Sequence, residues 1–403
     1  MSEAPASRPF PWVPVSLLGW VTIVAYGTWY YAFGVLLEPI ISDTGWSEGW
    51  LVGSFSTSAL LGALLAPQAG RLIDRHLMRL VLGVTGAVTA ACFLVASTVE
   101  SLALFVVLCG VGGAALTAFA FYHVTQTLAV RLAPGSGPRA VGLVTLIGAF
   151  SSTIYLPLTA FLVQETDWRG TMRVLALVAG VFLLFAALAL PRPPDAGGPG
   201  PVRGPSGLLS TAAGRRYAVA SIGAGTGAGV ILVYQVPIML AAGLSLSTAA
   251  WLAGARGVMQ FVGRLPVVRM VDRLGSARSL QFAFLMIVIG YAILAFATHP
   301  LIGLGYVIFG GFGIGATSPL QGIHNTTVFA AERLGQGMGT ISLLFGMSAA
   351  AGPLMVALLN DVASVRWTAP LIGGVTTLAA VIALHDPKPE AATGTPARGT
   401  IGG

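Results

Sequence analysis

The chain has 403 residues, of which 55% are hydrophobic and only 9% charged, with a mean hydropathy of +0.84. A water-soluble domain carries about 25% charged residues, so a soluble globular fold is excluded and lipid must be the main solvent. The net charge of +7 is scattered through short loops; it forms no basic groove, so no nucleic-acid partner is expected.

Apolar runs near the ~20 residues a bilayer-crossing helix needs recur along the chain. They predict twelve transmembrane helices over 14–38, 50–69, 79–98, 101–130, 139–163, 171–190, 216–241, 247–270, 279–298, 301–325, 335–359 and 367–384. The alternating pattern of a β-barrel is absent, so the expected class is an all-α membrane protein. The first helix is too long for a signal-peptide core and no small-residue cleavage site follows it, so it is read as retained. It carries Tyr26 and Tyr30, one turn apart. Cys92 and Cys109 fall in helices three and four as packing residues, with no metal-ligand pattern. Helix four also holds Tyr122, His123 and Gln126.

After helix six, residues 191–214 are rich in Pro and Gly and read as a linker. The expected domains are therefore 1–190, a first six-helix bundle, and 215–385, a second one, with 191–214 between them on the cytoplasmic side. Residues 386–403 have the composition of a disordered cytoplasmic tail. In the second half Tyr234 and Gln235 precede Pro237 in helix seven, and His324 with Asn325 closes helix ten. The halves look like copies. An offset of 198 residues sets Gly45, Ser47, Asp74 and Arg75 on Gly243, Ser245, Asp272 and Arg273, and an offset of 201 sets His123 on His324. Such repeats place a substrate site between the halves near the middle of the membrane.

With the N-terminus inside, sixteen of the 21 Lys and Arg residues lie in cytoplasmic segments and three, Arg169, Arg173 and Arg366, lie outside. That bias matches the positive-inside rule, with both termini cytoplasmic in the plasma or inner membrane. The remaining two, Arg256 and Arg264, are inside helix eight. At ~1.5 Å per residue Arg256 lies roughly 14 Å from the outer end of that helix, near the middle of a ~30 Å core. Arg264 is about 12 Å further in by the same rise. Residues 256, 260 and 264 share one stripe, so Gln260 stands between the two arginines. A central arginine costs at least ~2.5 kcal/mol on the mildest scale and normally faces a cavity or a partner. No Asp or Glu falls at mid-membrane. An uncompensated guanidinium facing a cavity invites an anion, and its planar fork suits a carboxylate. Arg264 has the alternative of reaching the inner surface or Asp272, and Arg256 that of bonding backbone carbonyls.

The loop Gly70–Arg79 reads GRLIDRHLMR and its counterpart Val271–Arg278 reads VDRLGSAR. These resemble the signature loop G-x-L-x-D-R-x-G-x-R of the major facilitator superfamily, with Leu77 standing where a second glycine is usual. The resemblance implies two six-helix bundles working by alternating access. It also implies a conformational clasp of Gly70, Asp74, Arg75 and Arg79 with Asp272 and Arg273. A narrower resemblance is to the monocarboxylate transporter and oxalate/formate exchanger branch. It rests on YAFGVLLEP (Tyr31–Pro39), GWS (Gly45–Ser47), DWR (Asp167–Arg169) and Gly263–Arg264 followed by Asp272–Arg273–Gly275. Val35 occupies the position of that branch's lysine in animal members, so no proton-coupling role carries over to it. The resemblance implies that helices one, four, seven and ten line the cavity, placing Tyr26, Tyr30, Tyr122, His123, Tyr234 and His324 near substrate. A tyrosine or histidine in such a helix also has an ordinary packing role.

The expected function is secondary active transport of a small organic anion, a monocarboxylate in first place, with protons as the coupling option and one chain as the working unit. The alternatives are export of drugs or other metabolites on the same fold, and in third place a membrane sensor that moves nothing. The glycine clusters lie within apolar helices, and no Walker loop, metal-ligand set or nucleophile–base pair appears. No cofactor, metal or enzymatic activity is expected.

Overall fold

The computed structural model describes residues 9–74, 77–134, 136–191, 211–329, 334–360 and 363–384. The 191–214 linker and the 386–403 tail lie almost wholly or wholly outside these residues. The described chain is all-helical and spans a membrane many times. The spans are α1 (Trp12–Thr44), α2 (Glu48–Asp74), α3 (Met78–Ala96), α4 (Leu102–Leu132), α5 (Arg139–Thr166) and α6 (Trp168–Ala189). In the second half they are α7 (Ala212–Ala241), α8 (Leu246–Arg264), α9 (Ser276–Ala295), α10 (Pro300–Val328), α11 (Leu334–Ala357) and α12 (Val365–Ala383). Eleven of these are long and apolar enough to cross a bilayer. The twelfth, α8, falls short in hydropathy because Arg256, Gln260 and Arg264 interrupt it; it is nonetheless a continuous 19-residue helix packed among its neighbours.

Helix eight ends earlier than the 247–270 expected from hydropathy. The chain breaks at Leu265–Pro266, and a separate short helix, Val267–Leu274, carries Asp272 and Arg273 on its exposed side. Pro266 has no N–H to donate, so the break falls where a continuing helix would lose a bond.

Within each half, close packing depends on absent side chains. Helix α7 lies between α11 and α12, and a Cβ on Gly229 would collide with the Ala349 carbonyl while one on Gly223 would meet that of Thr376. The halves meet along three pairs: α1 with α7, α5 with α8, and α2 with α11. At the first of these a Cβ on Gly34 would come 2.6 Å from the Val233 carbonyl, so glycine alone permits the approach.

The DWR stretch has a local structural explanation. Asp167 adopts φ 96° and caps α6 by accepting from the Gly170 N–H at 2.6 Å. Trp168 Nε1 and Arg169 Nη1 both donate to Asp43 Oδ2, at 2.9 and 2.6 Å, tying the start of α6 to the end of α1.

Candidate functional site

Three helices of the first half, α1, α4 and α5, depart from regular α-geometry along their length. In α1 the segment Tyr26–Tyr31 is a π-helical turn. One extra residue per turn rotates the downstream part of the helix, and such turns are frequent at functional sites. It contains Tyr30 and Tyr31, whose rings meet edge to face with centroids 5.4 Å apart. Helix α4 is broken: Ala120 (φ −136°, ψ 0°) and Phe121 (φ −79°, ψ 178°) leave the helix, which restarts at Tyr122. The break swings the Phe121 ring onto Tyr26, with centroids 3.8 Å apart, and sets Tyr122 5.2 Å from the same ring. His123 Nε2 donates to the Ala118 carbonyl at 2.8 Å, satisfying an acceptor that the break frees. Helix α5 is interrupted at Ala149–Phe150. The counterparts of α1 and α4 in the second half, α7 and α10, run unbroken.

Facing these, α8 presents the two arginines. Arg256 is 3% exposed, and its Nε donates to Gln235 Oε1 of α7 at 3.0 Å. Arg264 is half-buried, and its Nη1 donates across to the Thr145 carbonyl of α5 at 3.4 Å. The Tyr122 hydroxyl donates to the same carbonyl at 3.4 Å, and Gln126 Nε2 to the Thr145 hydroxyl at 3.1 Å. Among the described residues neither arginine has a carboxylate within 4 Å; the ion pair they contain is Arg169–Asp43, far from this site in the chain.

Three of the polar groups left without partners lie at or beside the arginines and are alike. Gln235 Nε2, Gln260 Nε2 and Arg264 Nε are buried and unpaired, and all three are donors. Ser152 Oγ and Thr153 Oγ1 of α5 are also unpaired, Ser152 lying near the Tyr31 hydroxyl but outside hydrogen-bonding geometry. A Cβ added at Gly257, next to Arg256, would strike both hydroxyls. The seam between α5, α7 and α8 thus holds several donors awaiting acceptors and two unpaired hydroxyls that can donate or accept.

The structure brings Arg256, Gln260, Arg264, Tyr26, Tyr30 and Tyr122 into this region. It does not bring in three others. His123 is occupied with Ala118 and lies on an exposed face. His324 Nδ1 bonds the Ser276 hydroxyl at 3.0 Å and its ring meets Tyr217 edge-on, at the opposite end of α10 from Pro300. The Tyr234 hydroxyl donates to Glu48 Oε1 at 2.7 Å, at the face where α2 begins. The clasp is seen in part. Arg75 lies outside the described residues, as do the side chains of Gly70 and Asp74. Arg79 Nη2 donates to the Leu190 carbonyl at 3.3 Å, and Asp272 and Arg273 are exposed. Sequence reasoning gave no role to Tyr31, Thr145, Ser152, Thr153 and Tyr306, nor any bond to Gln235. The π-turn and the helix breaks that aim the first of these leave no hydropathy signal.

Residues 18–217 and 217–401 both match the Major Facilitator Superfamily. The chain belongs to this superfamily. The chain is 27% identical over 294 residues to the transcription regulatory protein OpdE of Pseudomonas aeruginosa, a match spanning 70% of this chain and 71% of that protein. It is 31% identical over 84 residues to a probable sugar efflux transporter of Mannheimia succiniciproducens, about a fifth of each chain (21%). The fold is that of solved superfamily transporters. A mutant of the nucleoside transporter NupG superposes with a TM-score of 0.76 at 12% identity, covering 92% of this chain and 97% of its own. A D-xylose-proton symporter superposes with a TM-score of 0.68 at 13% identity, covering 91% and 95%.

Proposed function

We propose that this superfamily member is a secondary active transporter of a small organic anion, binding it between the halves with Arg256 and Arg264. A carboxylate, first of all a monocarboxylate, is the cargo we favour. The observation that carries the reading is the excess of unpaired donors at the seam: two guanidiniums without a carboxylate partner among the described residues, and buried amide and guanidinium N–H groups without acceptors. Each unpaired buried donor costs about 1–3 kcal/mol, a cost that an acceptor-only ligand removes on arrival. A cation would add charge to a site already carrying two. The tyrosines supply apolar faces for the rest of a small acid. By the distribution of Lys and Arg we place both termini in the cytoplasm, in the plasma or inner membrane. The domain boundaries we propose are those expected from sequence, with Gly70, Asp74, Arg75, Arg79, Asp272 and Arg273 as the clasp at that face.

The test is uptake of radiolabelled short carboxylates into proteoliposomes, with and without an inward proton gradient. Wild type should accumulate at least one acid, and Arg256→Gln should abolish that uptake; undiminished transport in both Arg256→Gln and Arg264→Gln would refute the reading.

Two relatives favour other outcomes of the same assay. The name of OpdE suits a sensor that binds without moving its ligand, in which case binding would persist with no uptake by wild type. The sugar efflux relatives suit export of a neutral metabolite, in which case sugars and not acids would be moved.

A further inference from the structure

We propose that Gln235 sets the charge preference of this site, both as the neutral acceptor that aims Arg256 and as a second donor to the bound anion; the inference rests on the anion reading above. Gln235 is 1% exposed, and its two amide atoms are in opposite situations. Oε1 accepts from Arg256 Nε at 3.0 Å and from the Tyr306 hydroxyl of α10 at 2.7 Å. Nε2 has no partner at all. Arg256 Nε, which can only donate, fixes which end of the amide is oxygen, and the Tyr306 hydroxyl then donates to the same atom. The orphan N–H groups therefore sit in the same side chain that holds the guanidinium, and a ligand reaching Arg256 comes to them as well.

The choice of amide over carboxylate has a physical consequence. A glutamate here would accept the same two bonds and would also neutralise Arg256 permanently. The glutamine anchors the guanidinium through Nε and leaves its charge uncancelled. Nη1 and Nη2 make no bond to any described residue, which keeps the two-pronged edge of the fork for an incoming carboxylate. Tyr306, 0% exposed, acts one step back as a positioning residue, since its hydroxyl bonds the amide oxygen of Gln235 rather than Arg256. Gln260 Nε2, one turn along α8 from Arg256, adds a third donor of the same kind.

The experiment measures binding of acetate, butyrate, succinate and benzoate, and of their neutral amides, to the purified full chain by calorimetry. Gln235→Glu should weaken acid binding by roughly 30-fold or more, as expected for a resident charge set against a buried ionic contact. Binding of the amides should change by less than about tenfold, the range of a single neutral hydrogen bond, so that the acid-to-amide preference falls. Tyr306→Phe should weaken acid binding by about 2- to 10-fold and leave the preference in place. If Gln235→Glu does not fold, Gln235→Met removes the donor and the acceptor without adding charge and should cost the acids about 10-fold. Acid binding at wild-type strength in Gln235→Glu or Gln235→Met would overturn the proposal. If wild type binds acids and Arg256→Gln loses them while both Gln235 variants keep them, the anion site stands and Gln235 falls alone. If wild type binds none of the acids, both fall together.

Discussion

The Tyr234 hydroxyl donates to Glu48 Oε1 at 2.7 Å, joining α7 of the second half to the first turn of α2 in the first. Asn360 Nδ2 donates to the same oxygen at 2.7 Å, and the Thr368 hydroxyl holds the Asn360 carbonyl at 2.8 Å so that its NH2 faces Glu48. One carboxylate thus gathers donors from two places in the opposite half, beside a crevice of about 680 Å³ lined by Gly53, Trp50, Leu354 and Leu358. Bonds to a charged acceptor contribute about 1.5–3 kcal/mol each. Glu48→Ala should therefore shift the population toward a state open at this face by ten-fold or more, about 1.4 kcal/mol per factor of ten. Labelling of a Gly53→Cys reporter by an impermeant maleimide should speed up accordingly; an unchanged rate would show that these bonds do not hold the face closed.

The turn after each signature aspartate gives a second prediction. Gly275 ends the short helix with φ 78°, and its N–H donates to the Val271 carbonyl at 2.9 Å. Leu77, at the equivalent place in the first half, has φ −88°. Leu77 itself is not in the left-handed region, so that position of the first loop does not call for glycine. Gly275→Ala should lower stability by about 1–2 kcal/mol, whereas Leu77→Ala should stay within about 0.5 kcal/mol because the side chain is at the surface. Thermal unfolding in detergent distinguishes the two.

Helix α7 supplies a third. The Cβ of Gly229→Ala would lie against the Ala349 carbonyl, where no rotamer change relieves it. Overpacking of this kind costs about 1–3 kcal/mol. The same substitution at Gly53, which has nothing within 4 Å of its Cβ position, should be silent by the same assay.

The fold was legible from composition because span length and apolarity are averages over some twenty residues, which single irregularities barely alter. Helix eight was legible too, although Arg256, Gln260 and Arg264 lower its hydropathy, since its length and flanking loops still fit the count. The candidate site was legible in its charges and not in its geometry. Depth along a helix follows from residue number, so Arg256 and the stripe through Gln260 and Arg264 came from spacing alone. Which tyrosines face them depends on the π-turn at Tyr26–Tyr31 and the break at Ala120–Phe121, and neither leaves a mark in a hydropathy pattern. Tyr234 and His324 illustrate the limit. Both are polar groups in helices that the resemblance places around the cavity, yet His324 is engaged by Ser276, and Tyr234, although next in α7 to the Gln235 that holds Arg256, gives its hydroxyl to Glu48.

The central claim is that this seam is built for negative charge. The most direct measurement is calorimetric binding of one acid and its own amide, benzoate and benzamide for example, to wild type and to Arg256→Gln. Wild type should prefer the acid by roughly 30-fold or more, as for a buried charged contact, and Arg256→Gln should erase that preference while still binding the amide. Equal affinity of wild type for the acid and the amide, or a preference that survives in Arg256→Gln, would contradict it.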